Sequence, residues 1–552
     1  MRGRLNTLLE QETWFYVFYL IVTLLSFNSL CIRTRGLLFA AYAAAACGGV
    51  ILLYRICHIR RYRNTRALPW LILLWISYGI SSLRMWRYGM LENIQAMVWM
   101  AIQYFILYAY ESDSPIPRDK RNIRVVGWVF LGYTFAAAGI AMVMLVLDYG
   151  KIVVLEDTLA ITGLVWNRLW GIYSDVNFGA VCSLVSMVFS AFFFRRCRMG
   201  LRIFLGMNLV LQACYVAFSD SRAAQVGAAV TVFVVTLLLL RAKAVQNKQV
   251  VRVLAGIALS AVFAAGTVLG IQGIQKAGNA LKSIQVQAEE SPSEPETAEP
   301  AAEPSQETQQ IASPSAAIAQ SSEPEASAAE PSQETQQIAS PSAAIAQSPE
   351  PEEHAVIGRD MDDINGDISN RRFQIWKSGI EIVKTSPVFG VSFRHYVRYA
   401  QDHLPDTYIV NNDQAQFGSM HNGLIDVLVS QGILGAGILI CLIVSVAAAV
   451  IPYLLRATSR NDYYCVFLLA VLLPILCSAM FYSEIFYINS PGSFLFWMFL
   501  GRLMHCVTQQ DPEQNQETPL DVQRPHDAGG QAFAGVREIS NDGKGAVVCK
   551  RF

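Results

Sequence analysis

The chain has 552 residues, of which 53% are hydrophobic and 16% are charged, and its formal net charge is zero. This composition is too apolar for an ordinary soluble protein, and the balanced charge provides no global field that would attract nucleic acid. The eleven cysteines include no C-x-x-C pair, which argues against a disulfide framework and against a zinc site. We therefore predict a polytopic membrane protein that has no nucleic-acid partner.

Twelve apolar segments are long enough to cross a hydrocarbon core of about 30 Å. They lie at 14–30, 36–57, 68–83, 90–110, 125–148, 174–194, 200–219, 222–241, 251–275, 430–455, 462–486 and 490–507. No A-x-A cleavage site follows the first segment, so we interpret it as an uncleaved span. The sequence thus predicts an all-α fold of about twelve transmembrane helices, with spans 1–9 in residues 1–275 and spans 10–12 in residues 430–507.

Charges in the loops predict the orientation of these spans. The loops after the even-numbered segments are rich in Lys and Arg, whereas the opposite loops are sparser. The positive-inside rule then places both termini in the cytoplasm and the long loop between spans 9 and 10 outside.

The external loop begins with a low-complexity segment at 276–358. Within it, Glu303–Ser321 recurs unchanged at Glu330–Ser348, and residues 283–358 are rich in Glu but contain no Lys or Arg. Such a composition buries too little apolar surface to fold, so we predict a disordered acidic tether. The polar segment 508–552 is likewise predicted to be a disordered cytoplasmic tail.

An acidic stretch at 359–367 opens the second part of the external loop, which covers 359–429. A calcium loop centred on Gly366 would place Met361 and Arg372 at its first and last ligand positions, so the match fails where ligands matter most. The Asp360-x-Asp362 pair lacks the Gly-rich pattern that accompanies such a motif in soluble glycosyltransferases. We predict a solvated turn that leads into the next helix and no metal.

The following segment is predicted to be an amphipathic helix. Phe373, Trp376, Ile380 and Val383 share one side at 100° per residue, and charged side chains occupy the other. A helix of this kind lies on a surface, here the outer face of the membrane.

His421 and Asn422 lie at the mouth of the tenth apolar segment. The imidazole pKa is near neutrality, so His421 is available for proton transfer, and Asn422 could orient a ring or a sugar hydroxyl. A histidine considered alone is more often structural than catalytic. Our hypothesis is that His421 is a catalytic base.

Several arginines occur at predicted outer ends of spans, where a charge is costly unless it is paired or functional. One interpretation is that they extend to the phosphates of membrane lipids. The other is that together they form a cationic pocket beside His421, because a guanidinium binds phosphate bidentately. The arginines concerned are Arg84, Arg87, Arg222, Arg372 and Arg394.

Short motifs spread over residues 175–501 resemble the bacterial O-antigen ligase and O-antigen polymerase superfamily. They are Asp175-Val-Asn177, Ser221-Arg222-Ala-Ala, Arg372-x-x-x-Trp376, Pro387-Val-Phe-Gly390, and His421-Asn422 followed by Gly432-Ile-Leu-Gly435. Two positions depart from the pattern of the family. Ser392 replaces a glycine that often follows Gly390, and Ser430 replaces an acidic residue that commonly precedes Gly432.

This resemblance implies a GT-C-like membrane glycosyltransferase in the plasma membrane of a bacterium. The donor would be a glycan on undecaprenyl pyrophosphate, which needs no metal or other cofactor. Arg222 and Arg372 would bind the pyrophosphate, and His421 with Asn422 would deprotonate an acceptor hydroxyl. The acceptor would be a glycan, a lipid, peptidoglycan or a protein. Supporting roles would fall to Arg84, Arg87, Asn177, Trp376 and Arg394.

A transporter or flippase is the main alternative. It would be expected to carry charged residues near the middle of its spans and paired interrupted helices, whereas the ionisable residues here cluster at the outer mouth. A third class, a sensor or scaffold that displays the acidic tether, is also compatible with the composition.

Overall fold

The computed structural model describes residues 12–32, 34–155, 158–244, 250–289, 371–394, 396–412, 417–456 and 462–509. Most of the predicted tether, the acidic stretch at 359–367 and nearly all of the predicted tail lie outside these residues. Each of the twelve predicted spans contains a helix. These helices are α1 (Thr13–Ser26), α2 (Arg35–Cys57), α3 (Leu68–Arg84), α4 (Met90–Ile102), α5 (Ile116–Val146), α6 (Val176–Phe194), α7 (Met199–Phe218), α8 (Arg222–Ala244), α9 (Val250–Glu289), α12 (Gly423–Arg456), α13 (Asp462–Ala479) and α14 (Pro491–Gln509).

Two shorter helices, α10 (Arg372–Thr385) and α11 (Tyr396–His403), belong to the loop before α12. Seven helices of the described chain, namely α2, α5, α6, α7, α8, α9 and α12, are long and apolar enough to cross a membrane, and α1, α3 and α13 are shorter apolar helices. The protein is therefore a mostly helical polytopic membrane protein. The count of twelve spans remains a prediction.

Helix α9 continues well past the predicted end of the ninth span at residue 275. It is a single helix of 40 residues that ends at Glu289. Gly278 allows this extension to pack directly against the ring of Phe218 at the end of α7, because a Cβ at that position would overlap the ring.

A three-stranded antiparallel sheet interrupts the helical fold between α5 and α6, so the prediction of an all-α chain is wrong in this segment. Its strands are β1 (Gly150–Leu155), β2 (Thr158–Val165) and β3 (Arg168–Gly171), in the order β1-β2-β3. Trp166 and Asn167 form the two-residue turn between β2 and β3, with φ values of 51° and 54°. The β-branched residues that precede this turn are typical of strands, a signal that the search for long apolar segments passes over.

Helix α12 is broken at Gly432, where φ is 63° and ψ is −162°. The Pro387–Gly390 segment fills this break: the N–H groups of Ile433 and Leu434 donate to the carbonyls of Pro387 (2.8 Å) and Val388 (3.2 Å). A Cβ on Gly432 would lie 2.5 Å from the carbonyl carbon of Val388. The segments around Gly390 and Gly432 are therefore in contact. The carbonyls of Pro387 and Val388 accept hydrogen bonds from the N–H groups that the break leaves without a partner inside the helix.

The two positions that depart from the family pattern lie beside this break. Ser392 has a φ of 62°, a conformation that glycine adopts without steric cost, which explains why glycine is favoured there. Its N–H donates to the carbonyl of Ser430 (3.0 Å), and the hydroxyl of Ser81 on α3 donates to the same carbonyl (2.6 Å). The backbone of Ser430 thus holds the loop, whatever its side chain.

Buried charges join helices at the opposite end of the bundle from the loop of α10. On α14, Nε of Arg502 lies 3.2 Å from Oδ1 of Asp119, and Nδ1 of His505 lies 2.6 Å from Oδ2 of the same carboxylate. Arg55 on α2 forms a second buried ion pair with Glu12, just before α1. Because the side chains of Arg502, Asp119, Arg55 and Glu12 are almost fully buried, each charge depends on its partner.

Candidate active site

His421 lies directly before α12 in a left-handed conformation, with φ of 50°. Its neighbour Met420 is fixed from two sides: the N–H of Met420 donates to Oδ1 of Asp426 (2.8 Å), and Nε1 of Trp376 donates to the carbonyl of Met420 (3.0 Å). A positive φ costs energy in a residue other than glycine, so these bonds are what holds the imidazole in place. Trp376 thus supports the site through the backbone.

Asn422 caps helix α12. Its Oδ1 accepts from the N–H groups of Leu424 (2.9 Å) and Ile425 (3.2 Å), and its Nδ2 donates to the carbonyl of Met480 (3.0 Å). Both ends of the amide are thereby engaged with backbone, and the side chain is buried. This geometry engages the side chain of Asn422 in capping α12, and its catalytic role stays a prediction.

The segment Met480–Glu484, which follows α13, forms one wall of the site. The eleventh predicted span ran to residue 486, but its helix, α13, ends at Ala479, and the next residues turn toward the loop of α10 and α12. Successive residues of this wall contact the site: the Met480 carbonyl meets Asn422, the Phe481 ring meets Arg372, the Tyr482 ring meets His421, and the Ser483 hydroxyl donates to Asp426.

Sequence reasoning missed this wall. The available signal was a polar pair, Ser483 and Glu484, inside an apolar run that ends in Ser490-Pro491-Gly492.

Arg372 and His421 are brought together at the start of α10. The guanidinium carbon of Arg372 lies 5.6 Å from the centre of the Phe481 ring, and the imidazole of His421 packs 6.1 Å from the Tyr482 ring, centre to centre. Desolvation within the loop, followed by the charge of Arg372, lowers the pKa of His421 to about 4. At neutral pH the imidazole is therefore uncharged and able to accept a proton.

Arg222 begins helix α8, and a polar network sets its position. Oδ1 of Asn177 accepts from the hydroxyl of Ser221 (3.0 Å) and from the guanidinium of Arg168 (3.1 Å). Arg168 also donates from Nε to the carbonyl of Ser219 (2.9 Å). The predicted supporting residue Asn177 thus orients the turn that carries Arg222, and the sheet contributes Arg168, which the sequence analysis did not single out.

The side chain of Arg222 is half-buried, and within the described ranges it forms neither a hydrogen bond nor an ion pair.

Asp175, at the start of α6, interacts electrostatically with Arg372 at the start of α10. It caps α6 by accepting from the N–H groups of Asn177 (2.8 Å) and Phe178 (2.9 Å). Burial raises the pKa of Asp175, and the positive charges of Arg168 and Arg372 oppose that rise. The starts of α6 and α10 therefore share one electrostatic environment.

The other predicted arginines lie elsewhere on the loop. Arg84 is exposed above the Phe389 ring (4.9 Å), and Arg87 is exposed above the Trp86 ring (5.7 Å). The N–H of Arg394 donates to Asn93 (3.2 Å), and burial lowers the pKa of its guanidinium. Among the predicted arginines of the described chain, the charge of Arg372 is the one that acts on His421. A cationic pocket formed by these arginines together stays a prediction.

Helix α10 packs on α12 through a face made of Ile375, Ser378, Gly379 and Ile382. Phe373 and Ile380 remain exposed, at 66% and 43% of their surface. The apolar side that the periodicity predicts is thus only partly used against protein, and its exposed part faces away from the core. Contact with the membrane surface remains a prediction.

No three His, Cys, Asp or Glu side chains converge as a metal site requires in the part of the chain that the structure describes. The acidic stretch at 359–367 lies outside that part.

Fold and site together define a polytopic membrane protein with a basic and imidazole-bearing site at the mouth of a broken helix. Residues 207–440 match the model of a family described as O-antigen ligase, and this match supports the resemblance of the chain to the O-antigen ligase superfamily. The matched range contains Arg222, Arg372, His421 and Gly432. No curated protein sequence is significantly similar to the chain.

Proposed function

We propose that the protein transfers a glycan from an undecaprenyl-pyrophosphate donor to an acceptor hydroxyl at the outer face of the bacterial plasma membrane. The observation that carries this proposal is the adjacency of Arg372 and an uncharged His421 within the matched range. A fixed positive charge beside a proton acceptor suits a reaction in which an anionic group leaves while a hydroxyl loses its proton.

In this proposal Arg372 and Arg222 bind the pyrophosphate. The guanidinium is planar and can donate two parallel hydrogen bonds to phosphate oxygens. As the bond between the sugar and the pyrophosphate breaks, negative charge grows on the leaving oxygen, and both arginines stabilise it. In the absence of donor, the charge of Arg372 interacts with Asp175.

His421 takes the proton of the acceptor hydroxyl as the new glycosidic bond forms. A base with a pKa of about 4 is weak, but the pyrophosphate would offset the charge of Arg372 and thereby raise the basicity of His421 when the donor is bound. General-base catalysis of this kind contributes about 10²- to 10⁴-fold. The aromatic wall and α10 would limit the access of water, which could otherwise hydrolyse the donor.

The test is glycan transfer by purified protein in detergent, with an undecaprenyl-pyrophosphate glycan and a candidate acceptor. We expect His421→Ala to lose about 10²-fold or more of the transfer rate. His403→Ala is the matched control: His403 lies in the same loop, stacked on Tyr399 (4.2 Å) and exposed to solvent, and it should retain the full rate. Equal rates for the two variants would contradict the assignment of the base.

Comparison of acceptors in the same assay separates a ligase from a polymerase. A polymerase extends a second lipid-linked repeat unit, whereas a ligase uses a lipid, peptidoglycan or protein hydroxyl.

The transporter alternative gains one observation, the broken helix α12, because interrupted spans line the sites of many transporters. Here the break is filled by Pro387–Gly390 through backbone hydrogen bonds, which leaves no open site at Gly432 itself. A transporter would form no new glycosidic bond in detergent solution. The absence of transfer by the unmodified protein with every acceptor, together with movement of the lipid donor in proteoliposomes, would favour that alternative.

A further inference from the structure

Glu484 is a buried acid at the end of the aromatic wall. Glu484 is 1% exposed, and neither of its carboxylate oxygens has a hydrogen-bond partner of normal geometry among the described residues. Gly492 at the start of α14 packs directly on Oε1, so that a Cβ there would overlap the carboxyl group. An ionised carboxylate without partners in such a place is costly, so the neutral acid is the favoured form.

Asp175 is the charged group that acts on Glu484. Burial raises the pKa of Glu484 to about 8, Ser478 opposes this rise, and the negative charge of Asp175 adds to it. Asp175 in turn interacts with Arg168 and Arg372. The titratable and charged groups around the two acids come from β3 (Arg168), α6 (Cys182), α7 (Tyr215), α10 (Arg372) and the wall (Tyr482).

Glu484 ends the wall segment whose Phe481 ring lies 5.6 Å from the guanidinium carbon of Arg372 and whose Tyr482 ring lies 6.1 Å from the imidazole of His421. Its carboxyl group is therefore close to the proposed donor site, and Asp175 interacts electrostatically with both Glu484 and Arg372. Arg372 is shared between the carboxylate of Asp175 and, in the proposed function, the pyrophosphate of the donor. A second negative charge on Glu484 would strengthen the hold of this acidic pair on Arg372 and would repel the pyrophosphate.

We propose that Glu484 carries a proton at neutral pH and that its ionisation weakens the binding of the anionic donor at Arg372. Glu484 is in this sense a positioning residue, since it acts through Asp175 and Arg372 and does not contact the reacting atoms. The inference rests on the proposed function, because it assumes that Arg372 binds the donor. No proton is consumed in the transfer itself: the proton stays on the carboxyl group throughout.

The first experiment measures the KM for the donor and kcat from about pH 6 to about pH 9, which is about one unit below the ordinary pKa values of tyrosine and lysine side chains. In the unmodified protein we expect KM to rise about threefold to tenfold as the pH passes through about 8, with a smaller change in kcat. Glu484→Gln mimics the neutral acid, so its KM should stay low across the range. Glu381→Gln, which removes a carboxylate from α10, should keep the pH profile of the unmodified protein.

A rise in KM of the same size and midpoint in Glu484→Gln would overturn the proposal. A purely structural role for Glu484 would lower activity or stability without flattening this profile.

The second experiment is calorimetric titration of the unmodified protein and of Glu484→Gln with inorganic pyrophosphate at about pH 8. Two buffers of different ionisation enthalpy report the protons exchanged on binding. Pyrophosphate itself exchanges protons on binding, so the informative quantity is the difference between the two proteins. We expect the unmodified protein to take up more protons than Glu484→Gln, since binding favours the protonated acid, and equal proton exchange in the two proteins would overturn the inference while leaving the donor site intact. Absence of binding at every pH, with full transfer activity in Arg372→Lys, would contradict the proposed function and with it this inference.

Discussion

Arg372 is the residue on which most of the proposed chemistry depends. It lies over Phe481, lowers the pKa of His421 and opposes the rise in the pKa of Asp175. One side chain therefore links the proposed base to the acids behind it. The charge of a donor phosphate at this position would shift the pKa values of both His421 and Asp175, because charges interact strongly where water is partly excluded.

Replacement of the two proposed donor arginines by lysine tests the bidentate contact. In Arg222→Lys and in Arg372→Lys the positive charge remains, but an ammonium cannot supply the planar pair of donors. We expect each variant to lose roughly 10-fold to 100-fold in kcat/KM for the donor, the equivalent of about 1.4 to 2.7 kcal/mol. The measurement is transfer by purified protein over a range of donor concentrations.

Arg371→Lys provides the control, since Arg371 precedes α10 on its exposed side. Its kcat/KM should equal that of the unmodified protein. Unchanged kcat/KM in both Arg222→Lys and Arg372→Lys would contradict the proposal that these two arginines bind the pyrophosphate.

At the scale of elements, the break in α12 explains why two separate glycine motifs occur in this chain. Gly390 has a φ of 66° and lies against the backbone of Gln431, and Gly432 has a φ of 63° and lies against the backbone of Val388. Neither position has room for a Cβ. The pair fixes where the loop of α10 and α11 sits on α12, and hence where α10 presents Arg372 to His421.

Gly432→Ala should therefore disrupt the loop. The new Cβ would lie 2.5 Å from backbone atoms of Val388, and the left-handed conformation would add strain. We expect a loss of roughly 2 kcal/mol or more of stability, seen as a lower unfolding temperature in detergent and as loss of transfer.

Gly437→Ala is the matched control on the same helix, because a Cβ at Gly437 meets no atom within 4 Å. It should leave stability unchanged or raise it by up to about 1 kcal/mol. Similar unfolding temperatures for Gly432→Ala and Gly437→Ala would contradict the structural role of the break.

At the scale of the whole molecule, the bundle is tied at both ends. The sheet and the wall after α13 join the helices around the site, while the ion pairs of Asp119, Arg502, Arg55 and Glu12 join them at the other end. The residues that build the site, as far as the structure describes the chain, all lie outside 290–370. We therefore expect the site to form without the low-complexity segment.

Deletion of residues 290–358 should accordingly leave the transfer reaction largely intact. We expect kcat/KM within about threefold of the full chain, because the deleted segment contributes no residue to the proposed site. The measurement is the same transfer assay on purified protein, with a scrambled segment of equal length and composition as control. A collapse in activity upon deletion, restored by the scrambled segment, would show that the length of the segment matters to the site.

The sequence by itself determined the class of membrane protein and the positions of the apolar helices, and it singled out His421, Arg372 and Arg222, whose roles remain proposals. These features depend on local sequence. A long apolar segment forms a helix because its own backbone supplies the hydrogen bonds, and a short motif can be recognised without knowing which distant residues it contacts. The sequence also carried the resemblance that the family match confirms.

Only the tertiary structure decided which of five arginines adjoins His421, that Asn422 caps a helix, and that Met480–Glu484 forms a wall of the site. The sheet that supplies Arg168 and the contact between Gly390 and Gly432 were equally hidden. These features join residues far apart in the chain. Their energies depend on distance and burial, and neither is written in the local pattern of residues.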